Sequence, residues 1–238
     1  MCTNYMVQGA DFGLSELKID SFAGLYRWTP WKHEIYRDYD APIVASIEAV
    51  QAADRRVWFL APRAAEGQWR EGEGAGQETA RHAQHDERAR RQPRKACAVR
   101  TTWRGGRRYL IPVRFIVEPS YRDARQEANG DWVLGPHVWQ RIGALDRPTM
   151  CVTGIWRALT NQDGAEHHVM SMITVNSDGH PLMSRMHRPA DEKRSVVILR
   201  PDDWEEWLTT SNVEAAREMR QLYPVVEMTA ESVVVTAK

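Results

Sequence analysis

Cysteine is scarce in this chain of 238 residues: only Cys2, Cys97 and Cys151 occur. An odd number at wide spacing argues against a disulfide framework and fits a reducing cytosol. Long apolar runs are lacking too. None approaches the roughly 20 residues of a membrane-spanning helix, and the amino terminus has neither the charged nor the apolar region of a signal peptide. The expectation is a soluble, cytoplasmic protein with no membrane partner. Metal-ligand spacings such as HExxH and CxxC do not occur, so neither a metal nor another cofactor is expected. No internal repeat is found.

Net charge is zero, with 32 basic and 32 acidic residues, but the balance is uneven. Residues 81–108 carry ten Lys or Arg against Asp86 and Glu87, a local excess of +8 that the remainder compensates. Such a block is commonly a solvated or disordered face. It also has the arginine density that a phosphate backbone attracts, with Trp69 and Trp103 able to offer stacking faces. Both readings stay open on composition alone.

What is present suffices for a core. The chain is 42% hydrophobic with ten Trp, and its length fits one large domain or two small ones. Residues 11–27 mix apolar and polar positions without a clean period and are assigned to helix. Pro30, Pro42, Trp28, Trp31, Tyr36 and Tyr39 suggest an extended, turn-rich passage. Val57-Trp58-Phe59-Leu60, closed by Pro62, reads as a buried strand. From 64 to 76 the composition turns to Gly, Glu and Ala, a loop that leads into the basic block.

After Gly105-Gly106 the run 109–117 is rich in β-branched and aromatic residues, and Pro112 within it suggests a bulge or an edge. Strand-like runs follow at 149–156, 169–175 and 195–199. Pro201-Asp202-Asp203 opens a helix through Trp204, Trp207 and Leu208. Ser211 with Glu214 has the pattern of a capping box for a second helix running to about Tyr223, and Val233-Val234-Val235 supplies a last strand. The sum is a mostly antiparallel β structure with helices around it.

Two stretches carry chemistry. Cys2 directly follows the initiator methionine and is small enough for that methionine to be removed, leaving a free α-amine beside a free thiol. These groups titrate near ~8 and ~8.5, so both are partly nucleophilic at neutral pH. An amine captures an aldehyde as a Schiff base, and a thiol on the neighbouring carbon closes on it as a five-membered thiazolidine. On its own, a cysteine at this position is more often incidental. The second stretch is residues 176–189, dense in turn formers and holding His180, Arg185, His187 and Arg188, a loop of the kind that carries function when hung off a sheet.

These stretches also carry a resemblance. Met1-Cys2-Thr3-Asn4-Tyr5, the strand ending Phe115-Ile116-Val117-Glu118-Pro119, the run Val152-Thr153-Gly154-Ile155-Trp156, and Leu182 to Leu199 with Met186-His187-Arg188-Pro189-Ala190-Asp191-Glu192-Lys193-Arg194 occur in one order along nearly the whole chain. Together they resemble the SOS response-associated peptidase (SRAP) family. The resemblance implies a single α+β domain over residues 1–238, with a mostly antiparallel, bifurcated or barrel-like sheet, surrounding helices, and 64–105 as an atypical basic, Gly-rich segment inside it. It further implies a monomer that binds single-stranded DNA at abasic sites and crosslinks to the opened sugar through the N-terminal cysteine. Carried over by position, Cys2 is the nucleophile, Glu118 the carboxylate that deprotonates the α-amine, and His187 an imidazole that donates a proton to open the sugar ring from an ordinary pKa near ~6.5. DNA-binding residues expected on this basis are Asn4, Arg81, Arg88, Arg90 and Arg185. The family's peptidase label would come from the same terminal nucleophile acting on a short leader.

One departure stands out. The family's Asn-Ala-Arg upstream of the glutamate does not occur. By separation from Glu118 its place falls to Arg88-Ala89-Arg90, while Thr79-Ala80-Arg81 resembles it locally, and a guanidinium cannot accept a hydrogen bond as an amide does. Codons for Gln84 through Arg90, read one nucleotide later, can encode a run containing Asn-Ala-Arg, so residues from about 62 to 100 are a candidate out-of-frame stretch. The expected activity is therefore abasic-site crosslinking, with an impaired DNA-binding relic and a thiol peptidase as alternatives.

Overall fold

The computed structural model describes residues 4–9, 11–28, 30–36, 39–46, 56–62, 102–160 and 166–233. In chain order its strands are β1 (Asn4–Val7), β2 (Glu34–Ile35), β3 (Asp40–Ser46), β4 (Arg56–Pro62), β5 (Arg108–Ser120), β6 (Arg125–Gln126), β7 (Trp132–Val133), β8 (Val138–Ala144), β9 (Met150–Thr160), β10 (Glu166–Met172), β11 (Thr174–Asn176), β12 (Arg194–Val196), β13 (Ile198–Leu199) and β14 (Met228–Ser232). The helices are α1 (Ala23–Trp28), α2 (Pro201–Thr209) and α3 (Val213–Glu218), with 3₁₀ turns at Ser15–Leu17, Met183–Arg185 and Val225–Glu227.

Everything hangs on β5, a strand of 13 residues that is buried along most of its length. Its β-branched and aromatic side chains suit a strand covered on both faces. Along one flank, Arg108 to Val113 pair with β9 and Ile116 to Pro119 with β8. Along the other, Tyr109 and Leu110 pair with β3, and Val113 to Val117 with β1. A strand with four neighbours forces the sheet to fork. The result is a ten-stranded antiparallel sheet, bifurcated and open: among the described residues no pairing closes it into a barrel. β6 with β7, and β11 with β12, form separate two-stranded ribbons.

Pro112 illustrates how the sequence meets this geometry. It sits inside the longest strand rather than on an edge, in the gap between the residues that pair with β3 and those that pair with β1. On that flank the position has no paired residue, so a proline is tolerated there. Gly154 is a second case. A Cβ on it would lie 2.1 Å from the Tyr109 ring, so only hydrogen fits where β9 crosses β5.

The helices close one face. Pro201 stands in the first turn of α2 with Asp202 and Asp203, favourable at a helix start. Trp204 and Trp207 are fully buried and donate their indole N–H groups to the carbonyls of Leu199 and Tyr109. Each large ring thus enters the core without leaving a polar atom unmatched.

Several expectations are corrected. Residues 11–27 are not one helix: a tight turn carries the 3₁₀ segment, Lys18 takes a left-handed φ of 56°, and Leu14 bridges Ile19 before α1 begins. The second C-terminal helix starts from Asn212, whose side-chain oxygen accepts from the N–H groups of Glu214 and Ala215, and it ends at Glu218, short of Tyr223. Asn212 lies next to the helix and takes the capping role expected of Ser211. The last strand is β14, which stops at Ser232; Val233 lies beyond it, and 234–235 fall outside the described residues, as does the 64–101 part of the Gly-rich and basic segment. Within the basic block, Arg108 is not a phosphate contact. It is buried and faces inward. Trp103 is half-buried and packs on Trp207, with the Arg220 guanidinium over its ring, instead of standing free as a stacking face.

Candidate active site

Glu118 lies near the carboxyl end of β5 and is wholly buried. It pairs across the ladder with Gln140 of β8, itself buried, which donates through its side-chain amide to the Ser232 hydroxyl. A carboxyl group set this deep is costly unless it is matched. The matching partner comes from 69 residues further on: His187 Nε2 stands 3.3 Å from Glu118 Oε2, and the ring is only 5% exposed.

His187 reaches that point through an unusual backbone. Its φ is +62°, a left-handed value that a residue with a Cβ rarely adopts. The N–H of His187 donates to the Pro119 carbonyl at 2.7 Å, and Ser120 forms bridges with Met186 and His187, so the loop is stitched to the end of β5. Lys193 Nζ donates to the carbonyls of Met186, His187 and Arg188.

The electrostatics revise one role. Burial, with neighbouring positive charge that includes Lys193, lowers the His187 pKa to about 3. At neutral pH the ring is uncharged. It is therefore not the ready proton donor expected from an ordinary imidazole pKa; it is a neutral imidazole, with one ring nitrogen to donate a hydrogen bond and one to accept.

The other candidates fall as follows. Asn4 is buried on β1, opposite Val117, and its side-chain amide donates to Glu34 at 2.8 Å, with the Tyr36 hydroxyl on the same carboxylate oxygen. Alternation along the strand puts Asn4 on the face opposite Glu118. Arg185 is exposed at the end of a 3₁₀ turn and makes no ion pair among the described residues. His180 serves structure: its Nδ1 accepts from the N–H groups of Leu182 and Met183, and Nε2 contacts the Tyr223 carbonyl at 3.0 Å. Cys2, Arg81, Arg88 and Arg90 lie outside the described residues. Cys151 is buried in the core, and burial pushes its thiol pKa well up, which leaves it inert. Among the described residues no group of three His, Cys, Asp or Glu could hold a metal ion, and no helix is long and apolar enough to cross a membrane.

The structure thus brings Glu118 and His187 together and adds Lys193, which sequence reasoning named only as part of a longer motif. A lysine in a run of charges gives no sign of where its ammonium points.

No curated protein matches the chain significantly in sequence. Solved structures do match: a protein from Bordetella bronchiseptica at a TM-score of 0.67 and 18% identity covers 98% of this chain and 100% of its own. A protein from Bacteroides thetaiotaomicron matches at 0.60 and 16%, covering 98% and 93%. A phage-related protein from Bordetella bronchiseptica matches at 0.57 and 16%, covering 98% and 94%. At these identities the likeness is one of fold. The family model described as SOS response associated peptidase (SRAP) matches residues 32–237, a span that holds Glu118, His187 and the loop between β11 and β12, and the chain belongs to that family.

Proposed function

We propose that the protein captures opened abasic sites in single-stranded DNA through Cys2, with Glu118 and His187 managing the protons. Family membership supports a role in abasic-site processing associated with DNA damage. The observation that carries the finer reading is the buried Glu118–His187 contact at the end of β5, next to the strand that begins at Asn4. Cys2 is two residues upstream of Asn4, and two residues of chain span at most about 7 Å. Asn4 pairs with Val117, the neighbour of Glu118.

The steps balance as follows. Once Met1 is removed, the α-ammonium of Cys2 gives a proton to Glu118. The free amine adds to the C1′ aldehyde of the lesion, and the hydroxyl so formed leaves as water, taking the proton that Glu118 and the neutral His187 have passed between them. The Cys2 sulfur then adds to the imine carbon while the nitrogen takes up the thiol proton, closing the thiazolidine. The net change is loss of one water. Positioned acid and base groups of this kind contribute on the order of 10²–10⁴-fold.

The missing Asn-Ala-Arg favours one other reading, a DNA-binding relic that keeps the fold and has lost the chemistry. Incubation with a uracil-excised single strand, followed by a denaturing gel, separates the two. A band resistant to denaturation, absent in Cys2→Ala, supports the crosslinking reading. Salt-sensitive binding without such a band rejects it in favour of the relic.

A further inference from the structure

We propose that Lys193 is a positioning residue: its ammonium clamps the 186–188 backbone and so holds His187 in the conformation from which its imidazole meets Glu118. The inference rests on His187 acting with Glu118 on abasic DNA, and it assigns the group that keeps His187 in place.

An ammonium has three donors and no acceptor. Lys193 places its Nζ 2.7 Å from the Met186 carbonyl, 3.1 Å from that of His187 and 2.8 Å from that of Arg188. Three consecutive carbonyls of one loop therefore use all its donors.

The clamped loop needs holding. A left-handed φ is unfavourable at a residue with a Cβ and persists only where the surroundings impose it. His187 is anchored on both sides, by its N–H on Pro119 and by its carbonyl on Lys193. Release of the second anchor lets φ return toward the right-handed region, a rotation of roughly 120° about N–Cα that carries Cβ and the ring away from β5. Lys193 is itself well placed to act as a fixed point. Its carbonyl accepts from the Ser177 N–H at 2.8 Å, and the next residue, Arg194, pairs with Asn176 while its guanidinium binds Thr174 and Glu192. Partial burial lowers the Lys193 pKa from its ordinary value, and the charges of Asp191 and Asp178 act against that shift.

The test uses Lys193→Gln and Lys193→Arg in the full chain, with four readouts: crosslinking rate at saturating abasic oligonucleotide, affinity for that oligonucleotide, melting temperature, and the His187 imidazole resonances without DNA. Lys193→Gln is expected to shift the resonances and to slow crosslinking about 10- to 100-fold with affinity nearly unchanged, the signature of a misplaced group. Lys193→Arg should fall between the two, since a planar guanidinium cannot serve three carbonyls with ammonium geometry. Wild-type rate and unmoved resonances in Lys193→Gln overturn the proposal, and so does a rate loss that only follows loss of folded protein. Should Lys193→Gln not fold, unchanged rate and resonances in Lys193→Arg overturn it instead. If the wild-type protein forms no crosslink, the proposed reaction fails, while the resonances still decide whether Lys193 places His187.

Discussion

Two buried ionisable groups sit on one strand, and they are handled in opposite ways. Arg108 opens β5 and Glu118 stands ten positions later, near its other end. Arg108 is 1% exposed, and burial lowers its pKa. Its guanidinium is spent on carbonyls at the end of α2, donating through Nε to Trp207 at 2.7 Å and through Nη2 to Thr210. Those partners cannot change charge. Glu118 instead faces an imidazole, which can. A buried charge met by fixed carbonyls joins a helix to a sheet, whereas a buried carboxyl met by a titratable ring can move protons.

The comparison can be broken from either end. The largest expected effect is Glu118→Gln: the crosslinking rate should fall about 10²–10⁴-fold, while the melting temperature holds or rises because a buried amide is cheaper than a buried carboxylate. A parallel fall in stability would make Glu118 a second structural charge. Arg108→Met should do the reverse. Leaving two carbonyls without their charged donor should cost about 2–4 kcal/mol in urea unfolding, with the rate per folded molecule unchanged. Gly154→Ala tests the same end of β5 by overpacking against Tyr109, at a cost of about 1–3 kcal/mol.

A pH series sharpens the contrast. The His187 pKa is about 3 when folded against ~6.5 when unfolded, so between those values the unfolded chain binds more protons. The contribution is complete above the unfolded value and is lost as pH falls toward 3. Melting temperature should therefore drop over that window, and less so in His187→Gln. Arg108→Met should leave the slope alone. The smallest effect is expected for Arg185→Ala: a few-fold weaker binding to single strands, with the salt slope reduced by roughly 0.7.

The sequence foretold the structural end of β5 better than the chemical end. The strand at 109–117 and the helix opened by Pro201 announce themselves through β-branched and aromatic runs and a proline followed by acids, and both occur with boundaries close to those read. β1, β8 and β14 gave no such signal, because Asn4, Gln140 and Glu231 interrupt the apolar alternation while the ladder still forms through the backbone. Residues 11–27 misled for a related reason: apolar positions without a period were read as helix, whereas Gly13 lets a tight turn form in which a Cβ would lie 2.3 Å from the Asp20 carbonyl. At the site, Glu118 was legible only through a family resemblance, and His187 without it only as one of two histidines in a turn-rich loop. Their 69-residue separation carries no local signal, and neither the left-handed φ of His187 nor its lowered pKa can be read from residue order, since both arise from how the loop docks on β5.

The proposed function has the Glu118–His187 pair serve the aminothiol of Cys2, two residues of chain ahead of β1. Intact mass spectrometry of the purified protein, before and after incubation with a single-stranded oligonucleotide bearing one abasic site, tests it most directly. The account predicts a chain lacking Met1 that gains the mass of the oligonucleotide less one water, and no gain in Cys2→Ala. A chain without Met1 whose mass does not change, or an adduct that survives Cys2→Ala, would contradict it.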